Sequence, residues 1–344
     1  MLLRCNSLSH VLPLMLTAWR RTRLLIHPAT GNGNQSPTSE VPEAVIGQLA
    51  SAAKQIFVKH ALVRNLGGPP AANEISDDEA GQMLNAVLDS GINVIDTAVC
   101  YGTSEARIGR AISHRRREFV LATKCGCQPG KPMGTPNIHT AANIRAGVEH
   151  SLRMMRTDYL DIVQFHQSLS RTMWETEGAL EELLKLKDEG KLRFIGVSGI
   201  LPNLIEQVDS GVFDVFQIPY SALQREHEHI IAKASNAGAG IIIRGGVARG
   251  APTDWSKRYY MLTSDELSGR WDKARLDELL DGMSPIEFMV RFAIAEPSLD
   301  TTIIGTKNLD HLRDNVSAAK KGPLPADLVT EAKRHLDPTG SHPV

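Results

Sequence analysis

From residue 77 onward, the hydrophobic and polar positions follow two alternating rhythms. Short runs dense in apolar and β-branched residues recur as "INVIDTA", "FVLATKCG", "YLDIVQFHQ", "FIGVSGI", "VFQIPYS", "GIIIRGG" and "TTIIGT". Each is short enough for a strand buried on both faces. Between them lie stretches whose apolar residues return at helical spacing: "SDDEAGQMLNAVLDSG", "NIRAGVEHSLRMMR", "GALEELLKLKDEGK", "HEHIIAKASNAG" and "SPIEFMVRFAIAEP", with "LDHLRDNVSAAKK" after the last strand. The first of these opens on Ser76, Asp77 and Asp78 and closes on Gly91, as a capped helix should. Strands alternating with helices imply right-handed βαβ crossovers and a parallel sheet.

Seven such strands fill residues 92 to 306 without a domain-sized break, and "QIFVKHALV" (residues 55–63) is the upstream candidate for an eighth. Eight strand–helix units in about 250 residues is the size of a closed (β/α)8 TIM barrel, and that fold is predicted. A doubly wound open sheet is the alternative. It would place a G-x-G-x-x-G turn after its first strand, and the sequence has none there. Two connections exceed ordinary loop length: "GCQPGKPMGTPNIHT" after the third strand and residues 247–283 after the seventh. Both follow strands, so both belong to the face where barrels place their sites. Trp174 and the Trp255, Tyr259, Tyr260 and Trp271 of the second loop either wall a pocket or pack as an insertion's own core.

The expected division is an N-terminal extension over residues 1–50 and one barrel domain over 51–340. The first 39 residues lack Asp and Glu, carry Arg4, Arg20, Arg21 and Arg23, and end in a turn-rich polar run. Such a start is either a disordered extension or an organelle transit segment. Its apolar stretch "VLPLMLTAW" falls well short of the ~20 residues that span a bilayer. Lys and Arg number 38 against 39 Asp and Glu, a formal net charge of -1. With no basic run, neither a nucleic acid nor a membrane surface is an expected partner; a small molecule is. Four cysteines suit reduced thiols in a cytoplasmic protein rather than a disulfide scaffold. Cys125 and Cys127 form a C-x-C pair, but no second pair or sequence-adjacent His completes a zinc set, so no metal is expected.

Candidate chemistry lies at strand ends. Asp96 ends the second strand, Lys124 the third and His166 the fourth, with Tyr101 in the loop after Asp96. Neighbouring strands run ~4.8 Å apart, so Asp96 and Lys124 come within reach of each other. A phenol is a weak acid at neutral pH, with a pKa of ~10. A nearby ammonium stabilises the phenolate, and a carboxylate fixes that ammonium. A neutral imidazole orients a carbonyl oxygen. This set suits protonation of a carbonyl oxygen while hydride arrives from elsewhere.

"GINVIDTAVCYGTSE", "LATK", "SLRMMRTDYLDIVQFH", "GKLRFIGVSG" and "IIGTKNLDHLRDNVSA" resemble the aldo-keto reductases in order and spacing, over about residues 64 to 320. The resemblance implies an NADP(H)-dependent oxidoreductase that reduces an aldehyde or ketone, or runs the reverse, with NAD(H) not excluded. It implies a catalytic tetrad of Asp96, Tyr101, Lys124 and His166, with Tyr101 as general acid. It assigns Ser198 and Gln217 to the nicotinamide carboxamide. It also assigns Gly305, Thr306, Lys307, His311, Asp314 and Asn315 to the adenosine 2'-phosphate and adenine, beside a helix start that favours phosphate.

Three positions depart from the family pattern. Gly199 stands where Asn usually follows the carboxamide-binding serine, and His311 where an arginine meets the 2'-phosphate. In "IIIRGGVARG", Arg244 takes the place of an aromatic that stacks on the nicotinamide, with Gly245 and Gly246 after it. Arg244 either stacks there, favouring the reduced, uncharged ring, or turns to a substrate carboxylate or the pyrophosphate. The first strand, "VKHALVRNLGGP", lacks the family's Gly-rich stretch. A different class of function is an NADPH-binding regulatory subunit with little turnover, because such relatives keep the same four residues.

Overall fold

The computed structural model describes residues 55–59, 75–131, 134–252 and 264–344. Eight parallel strands close in sequence order into a barrel. They are β1 (Gln55–Lys59), β2 (Val94–Asp96), β3 (Val120–Cys125), β4 (Leu160–Phe165), β5 (Leu192–Ser198), β6 (Val215–Pro219), β7 (Gly240–Arg244) and β8 (Thr301–Ile304). Closure is made by β1, which pairs β2 through Val58↔Ile95 and β8 through Phe57↔Ile303. The expected (β/α)8 TIM barrel is therefore present, and the strand expected in residues 55–63 is described over Gln55–Lys59, residues 60–63 lying outside the described residues. The extension expected over residues 1–50 lies outside the described residues.

Local sequence explains where the surrounding helices begin. The helix α1 (Asp77–Asp89) starts with a reciprocal cap: the Glu79 backbone N–H donates to Ser76 Oγ at 3.1 Å, and the Ser76 N–H donates to Glu79 Oε2 at 2.6 Å. Two of the orphan N–H groups of a helix start are satisfied this way. After α2 (Ser104–Ile112), α3 (Ala141–Met155) starts on Thr140, whose hydroxyl accepts from the Asn143 N–H. Beyond β4 come α4 (Arg171–Thr176) and α5 (Ala179–Asp188), then α6 (Leu204–Ser210) and α7 (Glu228–Asn236). The connection after β7, expected to be a long loop, contains the helix α8 (Ser264–Lys273), and α9 (Pro285–Ala293) leads into β8. The chain ends with α10 (Leu309–Lys320) and α11 (Ala326–Leu336). Ser341 remains attached to the barrel, with its hydroxyl on the Ala222 carbonyl and its own carbonyl on Arg225.

The barrel interior changes character along its axis, and this positions the site. Val94, Ile162 and Val215 line its lower end. Strand side chains alternate with a period of two, so the next inward residues on the same strands are Asp96, Gln164 and Gln217. All three are fully buried. An apolar floor thus carries a polar layer at the C-terminal end of the strands, where barrel enzymes work.

Outside the strands, α2 packs on α3 at very short range around Gly109. A Cβ there would lie 2.1 Å from the Met154 carbonyl oxygen and 2.8 Å from Met155 Cα, both backbone atoms that cannot swing aside. Gly109→Ala should therefore force the two helices apart and lower stability by about 1–3 kcal/mol, read as a fall in thermal midpoint. An unchanged midpoint would show that this interface yields freely.

Candidate active site

The four residues expected to act together converge at the upper rim. Asp96 ends β2. Lys124 is the next-to-last residue of β3, and His166 lies one residue beyond β4, its N–H on the Cys125 carbonyl. In register, Asp96 sits opposite Ala122, so Lys124 projects from the next inward position above it. The Lys124 ammonium reaches back and donates to both Asp96 carboxylate oxygens at 2.6 Å and to the Thr97 carbonyl at 2.9 Å. The lysine side chain is 1% exposed and the aspartate 0%.

Two charges so deeply buried are tolerable only when each is paired and hydrogen-bonded. Asp96 Oδ1 also accepts from Gln164 Nε2 at 3.1 Å and from Gln217 Nε2 at 3.0 Å. Charge-assisted bonds of this kind are about twice as strong as neutral ones. Gln164 was not singled out from the sequence. The available signal was a lone amide two residues after Ile162, on the apolar inward face of "LDIVQF".

Tyr101 occupies the turn between β2 and α2, where its N–H bonds the Ala98 carbonyl. Its ring is buried, with Lys124 Nζ 5.7 Å from the centroid. Its hydroxyl lies 3.1 Å from His166 Nε2, and the two rings meet edge to face. The other imidazole nitrogen, Nδ1, lies 2.9 Å from Cys127 Sγ and 3.5 Å from Cys100 Sγ. The histidine that the C-x-C pair lacks in sequence is thus supplied in space by His166, which meets Cys127. The Cys100 thiol is held below its usual range, chiefly by the hydrogen bond from Cys127 and further by the Lys124 ammonium.

Glu105, two residues beyond the Tyr101–Thr103 turn, locks this loop from behind. Its Oε1 accepts from Thr123 Oγ1 on β3 and Ser151 Oγ on α3, each at 2.7 Å. Burial pushes its carboxyl up to about 7, against the pull of those two hydroxyls and of Lys124.

The residues expected to hold a nucleotide cofactor border this centre. Ser198 Oγ donates to Gln217 Oε1 at 2.9 Å, and Gln217 is the same amide that supports Asp96. The expected carboxamide pair and the Asp96–Lys124 half of the tetrad therefore form one hydrogen-bonded network. Arg244 ends β7 half-buried, followed by Gly245 at φ 76°. Gly246 is needed for packing: a Cβ would lie 2.7 Å from Thr302 Oγ1. Gly305 is exposed just past β8, followed by buried Thr306 and half-buried Lys307. His311 and Asp314 are exposed on α10, and Asn315 is buried.

The helix start there is less open than the sequence suggests. Asn308 Oδ1 already accepts from the Asp310 and His311 N–H groups, at 2.7 and 3.4 Å. The side chain nearest this end in sequence that carries a positive charge is the half-buried Lys307, after Gly305 and Thr306. Even so, the donor set fits a nicotinamide dinucleotide: an amide-matched Ser–Gln pair at the rim, cations at Arg244 and Lys307, and an exposed glycine just past β8.

The Gly199 departure has a visible cause. A Cβ at Gly199 would lie 2.2 Å from Ser168 Oγ, which accepts from the Ile200 N–H at 2.6 Å and donates to the Ile200 carbonyl at 2.7 Å. Ser168 fills the space that a side chain at 199 would need.

The aromatics considered as pocket walls divide. Trp174 is buried and packs edge-on against Phe213; Trp271 is buried against Phe288, with its indole N–H on Asp277. Both belong to the core, because large rings adjoining other rings gain more from packing than from lining a wet cleft. Trp255, Tyr259 and Tyr260 lie outside the described residues.

Residues 64–337 match the model of the aldo/keto reductase family. An uncharacterized oxidoreductase, YqkF, of Bacillus subtilis is 29% identical over 273 residues, covering 75% of this chain and 88% of its own. L-galactose dehydrogenase of Arabidopsis thaliana is 26% identical over 71% of this chain and 79% of its own. Among solved structures, the holo form of the aldo-keto reductase AKR11C1 from Bacillus halodurans superposes with a TM-score of 0.68 at 27% identity. That match covers 82% of this chain and 92% of the solved one.

The raised Glu105 carboxyl has a signed consequence. Its folded-state value of about 7 lies above the ordinary 4.5, so its contribution to stability is full below pH 4.5 and is lost as pH rises through about 7. The loss is on the order of 3 kcal/mol. Glu105→Gln should flatten the dependence of the thermal midpoint on pH between 4.5 and about 7. A variant that keeps the parent's slope would place the slope elsewhere.

Proposed function

Because the chain belongs to the aldo/keto reductase family and is an oxidoreductase of carbonyl compounds, we propose that it is an NADP(H)-dependent reductase of an aldehyde or ketone, with Tyr101 as the proton donor. The observation that carries this reading is the buried Lys124–Asp96 pair set beside a tyrosine hydroxyl 3.1 Å from His166 Nε2.

When bound, the nicotinamide supplies hydride to the carbonyl carbon. Everything else falls to side chains of this protein. His166, with its proton on Nε2, donates a hydrogen bond that holds the carbonyl oxygen against Tyr101. Tyr101 passes its hydroxyl proton to that oxygen as charge develops on it. The Lys124 ammonium stabilises the charge left on the tyrosine oxygen, and Asp96 keeps the ammonium in place. In the reverse direction the tyrosine oxygen takes the alcohol proton back. Ser198 and Gln217 orient the carboxamide, which fixes the face of the ring turned to the substrate. Lys307 and His311, with Gly305 and Thr306, favour the 2'-phosphate and hence NADP(H) over NAD(H), and Arg244 lies beside the ring or the pyrophosphate. Asp314 and Asn315 complete the adenine end.

The test is NADPH oxidation across a panel of short aldehydes, aldoses, quinones and steroid ketones. The parent should turn over at least one class. Tyr101→Phe should lose about 100-fold or more in kcat while still binding NADPH, because only the proton donor is removed. Tight NADPH binding with no oxidation of any carbonyl would overturn the reading in favour of a binding module. Unchanged turnover in Tyr101→Phe would remove Tyr101 from its role.

A further inference from the structure

The thiol cluster behind the candidate catalytic histidine has no part in the chemistry above. Cys100 Sγ and Cys127 Sγ lie 3.1 Å apart, and Cys127 Sγ is 2.9 Å from His166 Nδ1. Cys100 is half-buried and Cys127 buried. The two come from different loops, after β2 and β3, and meet because those strands are neighbours.

The spacing distinguishes between two uses. A tetrahedral zinc holds thiolates at about 2.3 Å, which spreads two sulfurs to roughly 3.7 Å. A disulfide bond is about 2.05 Å long. Sulfurs already at 3.1 Å are compressed relative to a metal pair and lie on the approach to a bond. We propose that Cys100 and Cys127 form an oxidation-sensitive pair that closes to a disulfide, uncoupling His166 and switching off carbonyl reduction.

The oxidant is a small hydroperoxide. Cys100, the more accessible of the two sulfurs, attacks as thiolate. An S–O bond forms, the O–O bond breaks, and the departing hydroxide takes up the proton that Cys100 released. The Cys127 sulfur then attacks Cys100, forming S–S and breaking S–O, and its proton leaves with the hydroxide as water. Two electrons pass from the two thiols to the peroxide, giving one disulfide and, from hydrogen peroxide, two waters.

The consequence for His166 is a change of tautomer. The one proton of reduced Cys127 has two acceptors in reach, Cys100 Sγ at 3.1 Å and His166 Nδ1 at 2.9 Å; turned to Nδ1, it leaves the imidazole proton on Nε2, facing Tyr101. A disulfide has no proton to give. Nδ1 then loses its donor, the proton favours Nδ1, and Nε2 becomes an acceptor that no longer holds a carbonyl oxygen. The pairing itself stands on the sulfur geometry; its effect on turnover rests on the catalytic reading of His166.

The experiment treats the reduced full-length protein with hydrogen peroxide and maps its thiols by alkylation and peptide mass. Alongside this, kcat and histidine 15N spectra are recorded before oxidation, after it, and after dithiothreitol. The expected result is one disulfide linking Cys100 to Cys127 and a shift of the His166 Nδ1 and Nε2 signals. Turnover should fall by about tenfold or more and be restored by dithiothreitol. Cys100→Ser and Cys127→Ser, each compared with its own untreated sample, should show neither the disulfide nor the reversible loss.

Retention of both thiols, pairing with Cys5 or Cys125, or stoichiometric zinc that blocks the disulfide would overturn the proposal. So would a disulfide that leaves the His166 signals in place. The spectra read the tautomer without turnover, so a protein that forms the disulfide and shifts His166 yet reduces no carbonyl counts against the catalytic reading alone.

Discussion

The ion pair between Lys124 and Asp96 is the interaction on which the rest of the upper barrel depends. Neither charge has water to fall back on, so each must keep its partner, and the surrounding residues are arranged to make that possible. Gln164 and Gln217 turn their amides to Asp96, and the Thr97 carbonyl accepts a further hydrogen bond from the lysine. These contacts tie β2, β3, β4 and β6 together across the barrel lumen. They sit one inward step above the apolar floor of Val94, Ile162 and Val215, so the strand period that builds the core also sets the height of the charges.

The same network joins functions that look separate along the chain. Gln217 meets Asp96 through its nitrogen and Ser198 through its oxygen. A group that engages Ser198 or Gln217 therefore acts on the support of the lysine, and the proposed hydride and proton routes share one set of bonds. Behind His166 the thiols give the imidazole a second partner. Glu105, bonded to Thr123 and Ser151, holds the Tyr101 loop against β3 and α3.

Much of this was legible in the sequence. The strand–helix rhythm foretells the closed parallel barrel and puts Asp96, Lys124 and His166 near strand ends, but the register sets them as rising steps: Asp96 lies opposite Ala122, and Lys124 opposite Gln164, two residues before His166. Side-chain direction was less accessible. Trp174 and Trp271 lie in or near rim connections, but only the structure shows their rings turned into the core against Phe213 and Phe288. The meeting of Cys127 with His166 spans 39 residues and depends on how two loops curl. Gly199 reads as a missing side chain until Ser168 is seen in its space. Pattern reports which face a strand residue takes; it does not report what a loop residue finds there.

The ion pair as the organising contact is tested most directly by a double-variant cycle on folding stability, with Asp96→Asn, Lys124→Met and the two combined. Each single change strands a buried charge or its donors and should cost about 3–5 kcal/mol, while the double variant should cost clearly less than their sum, because it leaves no unpaired ion. Strict additivity, or single changes that cost nothing, would contradict the view that this buried pair holds the upper barrel in place.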